Sequence, residues 1–309
     1  MKSTPIDSGI PVLKIVGSTL PEVWERSVIA CWEEGAAIRT EYDKEGDPPS
    51  RDCTMIMVVR EPRKEPRIHR AFPGGLEDLE TYRQEVVYGV HDHWVSRTEG
   101  GWSHTYHGRL AKYDLPLHKE SECGVLLRPR TINQLDLVVE KLIEAPYTRR
   151  AQVVTWKVWC DPQDEFAPCL QRIWFRIVGD ELICNVHIRS NDAYKAAFMN
   201  LFAFTDLQRV IAERVSAGLE RVIRPGQLVW IADSYHIYGS YFGDFEGFLK
   251  SLTERSFDER TWTSKFAEPF FEDARERLRK EKEQEQEQEQ EEKSRLAVGK
   301  EWPYLESDK

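Results

Sequence analysis

The sequence predicts an α+β fold, and three observations carry the prediction. Short runs rich in β-branched and aromatic residues gather in the middle of the chain: AQVVTWKVW (151–159), QRIWFRIV (171–178) and ELICNVHI (181–188). Such runs form strands. Longer runs with apolar residues at helical spacing lie on both sides of them. A hydrophobic fraction of 40% and an aromatic fraction of 11% supply material for a sizeable core.

In chain order, VLKIVGS (12–18) reads as a strand. LPEVWERSVIACWEEG (20–35) places Val23, Val28, Ile29 and Trp32 on one helical face. EYDKEGDPPSRD (41–52) is a polar loop that delivers the chain into a strand, CTMIMVVRE (53–61). LEDLETYRQEVVYGV (76–90) reads as a helix, followed by a loop rich in Gly, His and Trp over 91–105. TINQLDLVVEKLIEA (131–145) is amphipathic, with Thr131 as its expected N-cap. VGDE (178–181) reads as a hairpin turn. DAYKAAFMNLFAFTDLQRVIAERVS (192–216) is apolar on much of its surface, a largely buried helix. GQLVWIADSYHIYGSY (226–241) is a strand running into a polar-aromatic loop. From 272 onward the chain is dominated by Arg, Glu, Gln and Lys, with EQEQEQEQEE at its centre. That composition predicts a solvated helix or disordered tail. The expected division is therefore a folded unit over 1–271 and a charged tail over 272–309. Removing 275–295 is expected to leave the melting temperature nearly unchanged.

The net charge is −10, much of it in the tail, so nucleic acid is not the expected main partner. No window reaches the roughly 18 apolar residues of a membrane span, and MKSTPIDSGIPVLKIVGSTL has no long apolar core of a signal peptide. A cytoplasmic protein without a membrane partner is expected. The six cysteines, at 31, 53, 123, 160, 169 and 184, form no CxxC pair. Free thiols are expected rather than a zinc ribbon or a disulfide framework. His91 and His93 enclose a single carboxylate with no third ligand in view, so no metal site is expected.

The chemistry-bearing stretch is EFAPCLQRIWFRIVGDELICNVHIRSNDAYKAAFMN (165–200). The ordinary reading of Cys169 is a buried core thiol. Its place after Pro168, at a strand entry, also allows exposure. A nucleophilic thiol then requires a nearby cation, for which Arg189 and the pair Arg149–Arg150 are candidates. Arg189 with Ser190 at a strand end can hold an anion such as phosphate, or simply form a salt bridge. Asn200, on an apolar helix, either caps a loop or reads the edge of a base, since its amide both donates and accepts. His236 and Tyr238 alternate along a strand-like segment and so share a face.

Taken in order, the set Arg-Arg, Pro-Cys, Arg-Ser-x-Asp, Asn and His-x-Tyr resembles the thymidylate synthase family, which includes the pyrimidine hydroxymethylases. Arg150 to Cys169 is 19 positions, Cys169 to Arg189 is 20, Arg189 to Asn200 is 11 and Asn200 to His236 is 36. The first three agree with the family; the last is somewhat longer. The resemblance covers 146–245 and, more weakly, 91–110.

The resemblance implies a large mixed β-sheet layered with helices, a homodimer formed through one sheet face, and a catalytic unit spanning 1–271. It implies one-carbon transfer from 5,10-methylenetetrahydrofolate to C5 of a pyrimidine nucleoside monophosphate, as in conversion of dUMP to dTMP. Cys169 would add to C6 of the base. Arg189 and Ser190 would bind phosphate, with Arg149 and Arg150 supplied by the other subunit and Arg51 by a loop before the first sheet strand. Asp192 would hold the base or the folate, Asn200 would read the 3/4 edge, and His236 and Tyr238 would bond the sugar hydroxyl. Trp94 and His91 would stand at the family's two tryptophan positions beside the folate, and Tyr106 would assist removal of the C5 proton. A catalytic glutamate is expected from Glu77, Glu80 or Glu85. Three departures mark a divergent branch. Leu170 follows the cysteine where histidine is usual, Ala-Ala-Phe-Met-Asn replaces Gly-x-Pro-Phe-Asn, and RLAVGKEWPYL (295–305) is the only counterpart of the closing C-terminal segment. Hydroxymethylation of dUMP, dCMP or CMP, and nucleotide binding without turnover, are the alternative readings.

Overall fold

A computed structural model describes residues 9–95, 102–116 and 131–298, less the side chains of 289 and 292–298. Cys123 and most of the RLAVGKEWPYL segment lie outside the described residues. In chain order the strands are β1 Val12–Gly17, β2 Ala36–Ile38, β3 Ser50–Val59, β4 Ile68–His69, β5 Tyr113–Asp114, β6 Thr131–Ile132, β7 Gln152–Val154, β8 Leu170–Val178, β9 Glu181–Asp192, β10 Arg224–Ile237 and β11 Thr261–Trp262. The helices are α1 Leu20–Glu34, α2 Leu76–Tyr88, α3 Tyr106–Ala111, α4 Gln134–Glu144, α5 Ala197–Leu219, α6 Phe242–Glu254 and α7 Ser264–Val298. Seven strands form one mixed sheet in the order β1-β3-β10-β9-β8-β7, with β2 also on β3. The expected α+β architecture, a large mixed sheet layered with helices, is the one observed.

Alternation along the strands decides the layering. Met55, Met57, Val186, Ile188, Leu228 and Trp230 are fully or almost fully buried, on the side where α1 packs on β3 and α5 on β9 and β10. Their neighbours Ile56, Val58, Ile183, Val229 and Ile231 point the other way and are only half-buried.

The β8–β9 hairpin turns through two residues, Gly179 and Asp180, between the paired Val178 and Glu181. Gly179 adopts φ 60°, a left-handed conformation that glycine takes without steric cost. This turn sets the register from Val178–Glu181 to Arg172–His187, and a bulge between Leu170 and Arg172 then brings Leu170 opposite Ile188. One residue further along, the Arg189 N–H donates to the Cys169 carbonyl at 2.8 Å.

Helices α2 and α5 are tied by a buried ion cluster. Asp206 on α5 meets Arg63 at 2.9 Å, Arg67 at 3.2 Å and Arg83 of α2 at 3.6 Å. Burial alone would raise the Asp206 carboxyl, but the arginines hold it well below the usual carboxylate range.

Several boundaries differ from the sequence expectation. Helix α4 begins at Gln134, because the Asn133 side chain, not that of Thr131, accepts from the Leu135 and Asp136 N–H groups. Thr131 belongs to the short β6, paired with β5. The strand expected over 151–159 stops at Val154. Beyond it, buried Asp161 accepts from the Lys157 N–H and from Arg109, and so draws the chain off the sheet. Strand β3 starts at Ser50, inside the expected loop.

Helix α7 runs unbroken through the expected division at 271/272. Phe271, Ala274 and Leu278, spaced three and four apart, are buried. Arg275 reaches Glu80 at 3.2 Å, and Arg277 reaches Thr81 at 3.3 Å, both on α2. One alanine and one leucine in a charged run had hidden a narrow apolar stripe. Ending the chain at Glu272 is therefore expected to cost about 2 kcal/mol, the scale of burying one leucine. Thermal unfolding of the shortened chain against the full one measures it. An unchanged midpoint would return the helix to the status of a solvated appendage.

Candidate active site

The hairpin register places Cys169 beside Arg189. The thiol is half-buried; burial pushes it up, and the Arg189 guanidinium opposes that shift. Arg189 also donates to the Pro168 carbonyl at 3.2 Å and to the Ala167 carbonyl at 2.7 Å, clamping the segment that carries the cysteine. Tyr106, the first residue of α3, is oriented by the Thr105 N-cap, whose hydroxyl accepts from the Gly108 N–H at 2.9 Å. Burial and the nearby Cys169 sulfur raise the Tyr106 phenol, while its hydrogen bond with the Leu170 backbone acts against them. A protonated phenol thus stands next to the thiol.

Parallel pairing of β9 with β10 sets Ser190 against Ser234 and Asp192 against His236. Ser234 Oγ donates to Asp52 Oδ2 at 2.8 Å and lies 3.1 Å from His236 Nδ1. Since the serine proton goes to the carboxylate, Nδ1–H must donate to the serine oxygen, which leaves Nε2 as an acceptor. Burial lowers His236 to about 4, so the ring is neutral near pH 7. The Tyr238 ring lies 4.6 Å from that of His236, just past the end of β10, so the two share a side as alternation implied. Asp192 Oδ1 accepts from the Tyr194 and Lys195 N–H groups, at 3.0 and 2.8 Å. Burial raises its carboxyl despite these bonds.

Asn200 is buried on α5, and its Oδ1 accepts from the Tyr82 hydroxyl of α2 at 2.5 Å. Of the three glutamates on that helix, Glu80 is fully buried but turned to Arg83 and Arg275. Glu77 lies in the first turn. Glu85 accepts from His91 Nδ1 at 2.8 Å and bears electrostatically on the Tyr82 phenol. Glu85 is therefore the one of the three that contacts a candidate site residue, His91.

His91 stacks on Trp94 with ring centroids 3.7 Å apart and planes within 7°. The outer side of this wall meets α7: Trp94 Nε1 donates to Glu285 Oε1 at 2.9 Å, and His93 Nε2 lies 2.6 Å from Glu285 Oε2. His91 Nε2 is buried without a hydrogen-bond partner among the described residues. It lines a cavity of about 720 Å³ between α2 and α7. The same stretch continues through 96–101, outside the described residues. Among the described residues, no group of three or more His, Cys, Asp or Glu is arranged to hold a metal ion.

Arg51 is not on a loop before the first strand. It lies inside β3, where its guanidinium donates to the Gly35 carbonyl at 3.3 Å. Arg149 and Arg150 are exposed and precede β7. The Phe175 N–H donates to the Ala151 carbonyl, which sets this pair at the far end of β8. At about 3.3 Å per residue, that is roughly 20 Å along the strand from Cys169. The chain thus gathers Cys169, Arg189, Ser190, Asp192, His236, Tyr238, Tyr106 and Asn200 at one end of the sheet, and leaves Arg149 and Arg150 at the other.

Sequence reading missed Tyr82, Asp52, Ser234, Tyr42 and Tyr241. Ser234 was accessible, since it lies two residues before His236 on a strand. Asp52 reaches it only through the pairing of β3 with β10. Tyr42 and Tyr241 form a rim with Tyr238, their ring centroids 6.4 and 5.5 Å from it. Both lie in segments that carry no periodic signal.

One end of a mixed sheet thus gathers a thiol beside a guanidinium, a phenol and a buried amide, and the family that shares this chain's sequence is one of transferases. The chain belongs to the thymidylate synthase family, whose model matches residues 76–296. It is 28% identical over 211 residues to a protein named "Putative thymidylate synthase" from Methanocaldococcus jannaschii, covering 67% of this chain and 82% of that one. A protein of the same name from Methanococcoides burtonii is 25% identical over 238 residues, covering 77% of this chain and 95% of its own length. "Thymidylate synthase" of Haloferax volcanii is 28% identical over 193 residues, covering 57% of this chain and 53% of its own. No helix among the described residues is long and apolar enough to cross a membrane.

Proposed function

We propose that this chain transfers a one-carbon unit from 5,10-methylenetetrahydrofolate to C5 of a pyrimidine nucleoside monophosphate, converting dUMP to dTMP. The observation that carries the reading is the register that sets Cys169 beside Arg189 and Asp192 beside His236. The Cys169 thiol gives up its proton, favoured by Arg189, and its sulfur bonds to C6. The electron pair displaced from the C5–C6 double bond makes C5 nucleophilic and loads charge on O4, where a preorganised N–H donor of Asn200 stabilises it. The folate, when bound, supplies the one-carbon unit and the hydride that completes a methyl group. Tyr106 takes part in removing the C5 proton, after which the sulfur leaves C6 as thiolate. Arg189 and Ser190 hold the phosphate, and His236 Nε2 accepts from a sugar hydroxyl. The flat His91–Trp94 wall and the Asp192 carboxylate suit a planar heteroaromatic ring that carries N–H donors.

Two copies pair through their sheet faces in this reading. The half-buried row Ile56, Val58, Ile183, Val229 and Ile231 calls for cover, and Arg176 Nε and Asn185 Oδ1 are buried without partners among the described residues. Arg149 and Arg150 then complete the partner's phosphate site.

Hydroxymethylation is the second reading, favoured by one observation. His91 turns Nε2, 3.7 Å from Glu281 Oε2 and without a hydrogen bond among the described residues, toward a cavity of about 720 Å³ between α2 and α7, so the wall is polar where an apolar one would exclude water from an exocyclic methylene. Incubation with methylenetetrahydrofolate and each of dUMP, UMP, dCMP and CMP, read by mass spectrometry, separates the two. A methyl gain is expected on dUMP; a hydroxymethyl gain decides for the second reading. No product, together with no release of tritium from C5-labelled nucleotide, would overturn both.

A further inference from the structure

We propose that Tyr82 is a positioning residue that fixes the orientation of the Asn200 amide and thereby selects uracil over cytosine; this rests on the pyrimidine-nucleotide reading of the site. The Tyr82 hydroxyl donates to Asn200 Oδ1 at 2.5 Å, across the α2–α5 contact. The neighbourhood is that of the reacting thiol, since Tyr106, Glu85 and Cys169 all bear electrostatically on the Tyr82 phenol.

The two bases ask opposite things of one amide. Uracil offers an N–H at position 3 and a carbonyl at position 4, whereas cytosine offers a bare nitrogen at 3 and an amine at 4. An amide that presents its oxygen to position 3 and its NH₂ to position 4 matches uracil, and the same amide rotated by half a turn matches cytosine. A freely rotating asparagine reads both. In this fold it is not free. The Tyr82 hydroxyl makes no other hydrogen bond among the described residues, and although part of the side chain is exposed, burial pushes its phenol well up, so the hydroxyl is withdrawn from water. Rotation of Asn200 would turn the NH₂ toward Tyr82 and leave that phenolic proton buried and unpaired. An unpaired buried donor costs enough to shift an equilibrium by roughly ten-fold or more.

The crossing that holds the pair is rigid. Arg83, next to Tyr82 on α2, reaches Asp206 on α5, which is further bound by Arg63, Arg67 and Arg209. Tyr82 and Asn200 therefore meet across a clamped contact. The helix expected to supply a catalytic glutamate brings a tyrosine to the amide instead; Glu85 stands behind it, bonded to His91.

The test is equilibrium binding of dUMP and dCMP, measured separately for the wild type, Tyr82→Phe, Asn200→Ala and the double variant. The phenylalanine keeps the ring and its packing, and the melting temperature of each variant is recorded. The expected result is a preference for dUMP in the wild type that falls about ten-fold in Tyr82→Phe, the size of one lost buried partner. In the Asn200→Ala background, Tyr82→Phe is expected to leave the ratio unchanged, because the tyrosine acts only through the amide. Loss of affinity for both nucleotides in equal proportion would reduce Tyr82 to packing and overturn the proposal while the function stands. A shift of equal size in both backgrounds would overturn it too, since the tyrosine would then touch the base itself. If the wild type binds neither nucleotide, the pyrimidine reading fails and this proposal fails with it.

Discussion

Cys169→Ser is expected to keep its fold and its nucleotide affinity and to lose turnover by about a thousand-fold or more, the scale on which removal of a covalent nucleophile acts. The other described thiols offer no substitute. Cys31, Cys53 and Cys184 are fully or almost fully buried. Cys160 is exposed, and burial together with its bond to the Asp161 carboxylate raises its thiol. Cys169 combines partial access with a guanidinium that favours the thiolate. Serine preserves the size of the side chain, so Arg189 keeps its bonds to the Ala167 and Pro168 carbonyls. Three measurements check the result: turnover with the active nucleotide, tritium release from C5, and intact-protein mass after rapid denaturation, which reveals a sulfur–nucleotide adduct. Near-normal turnover in the serine variant would remove Cys169 from the mechanism.

Mixing two inactive chains, Arg150→Ala and Cys169→Ala, is expected to restore activity. Within one chain the arginine and the cysteine stand roughly 20 Å apart along β8, too far to hold one nucleotide. In a two-fold dimer formed through the sheet faces, one site of each mixed pair receives an intact cysteine from one subunit and an intact arginine from the other. Equal mixing with full exchange then regains about a quarter of the wild-type sites. Turnover after subunit exchange, with exchange confirmed by native mass spectrometry, reads the outcome. A mixture as inactive as its parents would show that Arg150 serves its own chain or no site at all.

Most of the fold was legible because local signals and tertiary demands agree. The two-residue turn at Gly179 and Asp180, the alternation in β8 and β9 and the apolar length of α5 all follow from residue type and spacing. The residues gathered by that hairpin were legible with it to within one residue; the bulge between Leu170 and Arg172, which shifts the register beside Cys169, was not. What escaped depended on partners distant in sequence. Asp52 joins His236 only across the β3–β10 pairing, and Tyr82 joins Asn200 only where α2 crosses α5. The α7 stripe escaped for another reason. Ala274 and Leu278 add little hydrophobicity to a run of Arg, Glu and Lys, yet Glu80 offers a buried carboxylate to Arg275, so charge as well as apolar surface anchors the helix.

The β8–β9 hairpin works as a ruler. Its turn lies roughly 30 Å from Cys169, counted at about 3.3 Å per residue, and takes no part in chemistry. The register it sets runs unbroken from Val178–Glu181 to Arg172–His187, and a bulge between Leu170 and Arg172 then takes up one extra residue just short of Cys169; one residue added between the turn and that bulge would swing every side chain beyond it to the opposite face. Cys169 would then confront a different neighbour, and Asp192 would leave His236. The strands can therefore exchange one apolar residue for another with little consequence, while their lengths are locked to each other. Any variation in length has to be absorbed outside that unbroken interval, at a bulge such as the one between Leu170 and Arg172 or in loops such as the one that joins α5 to β10.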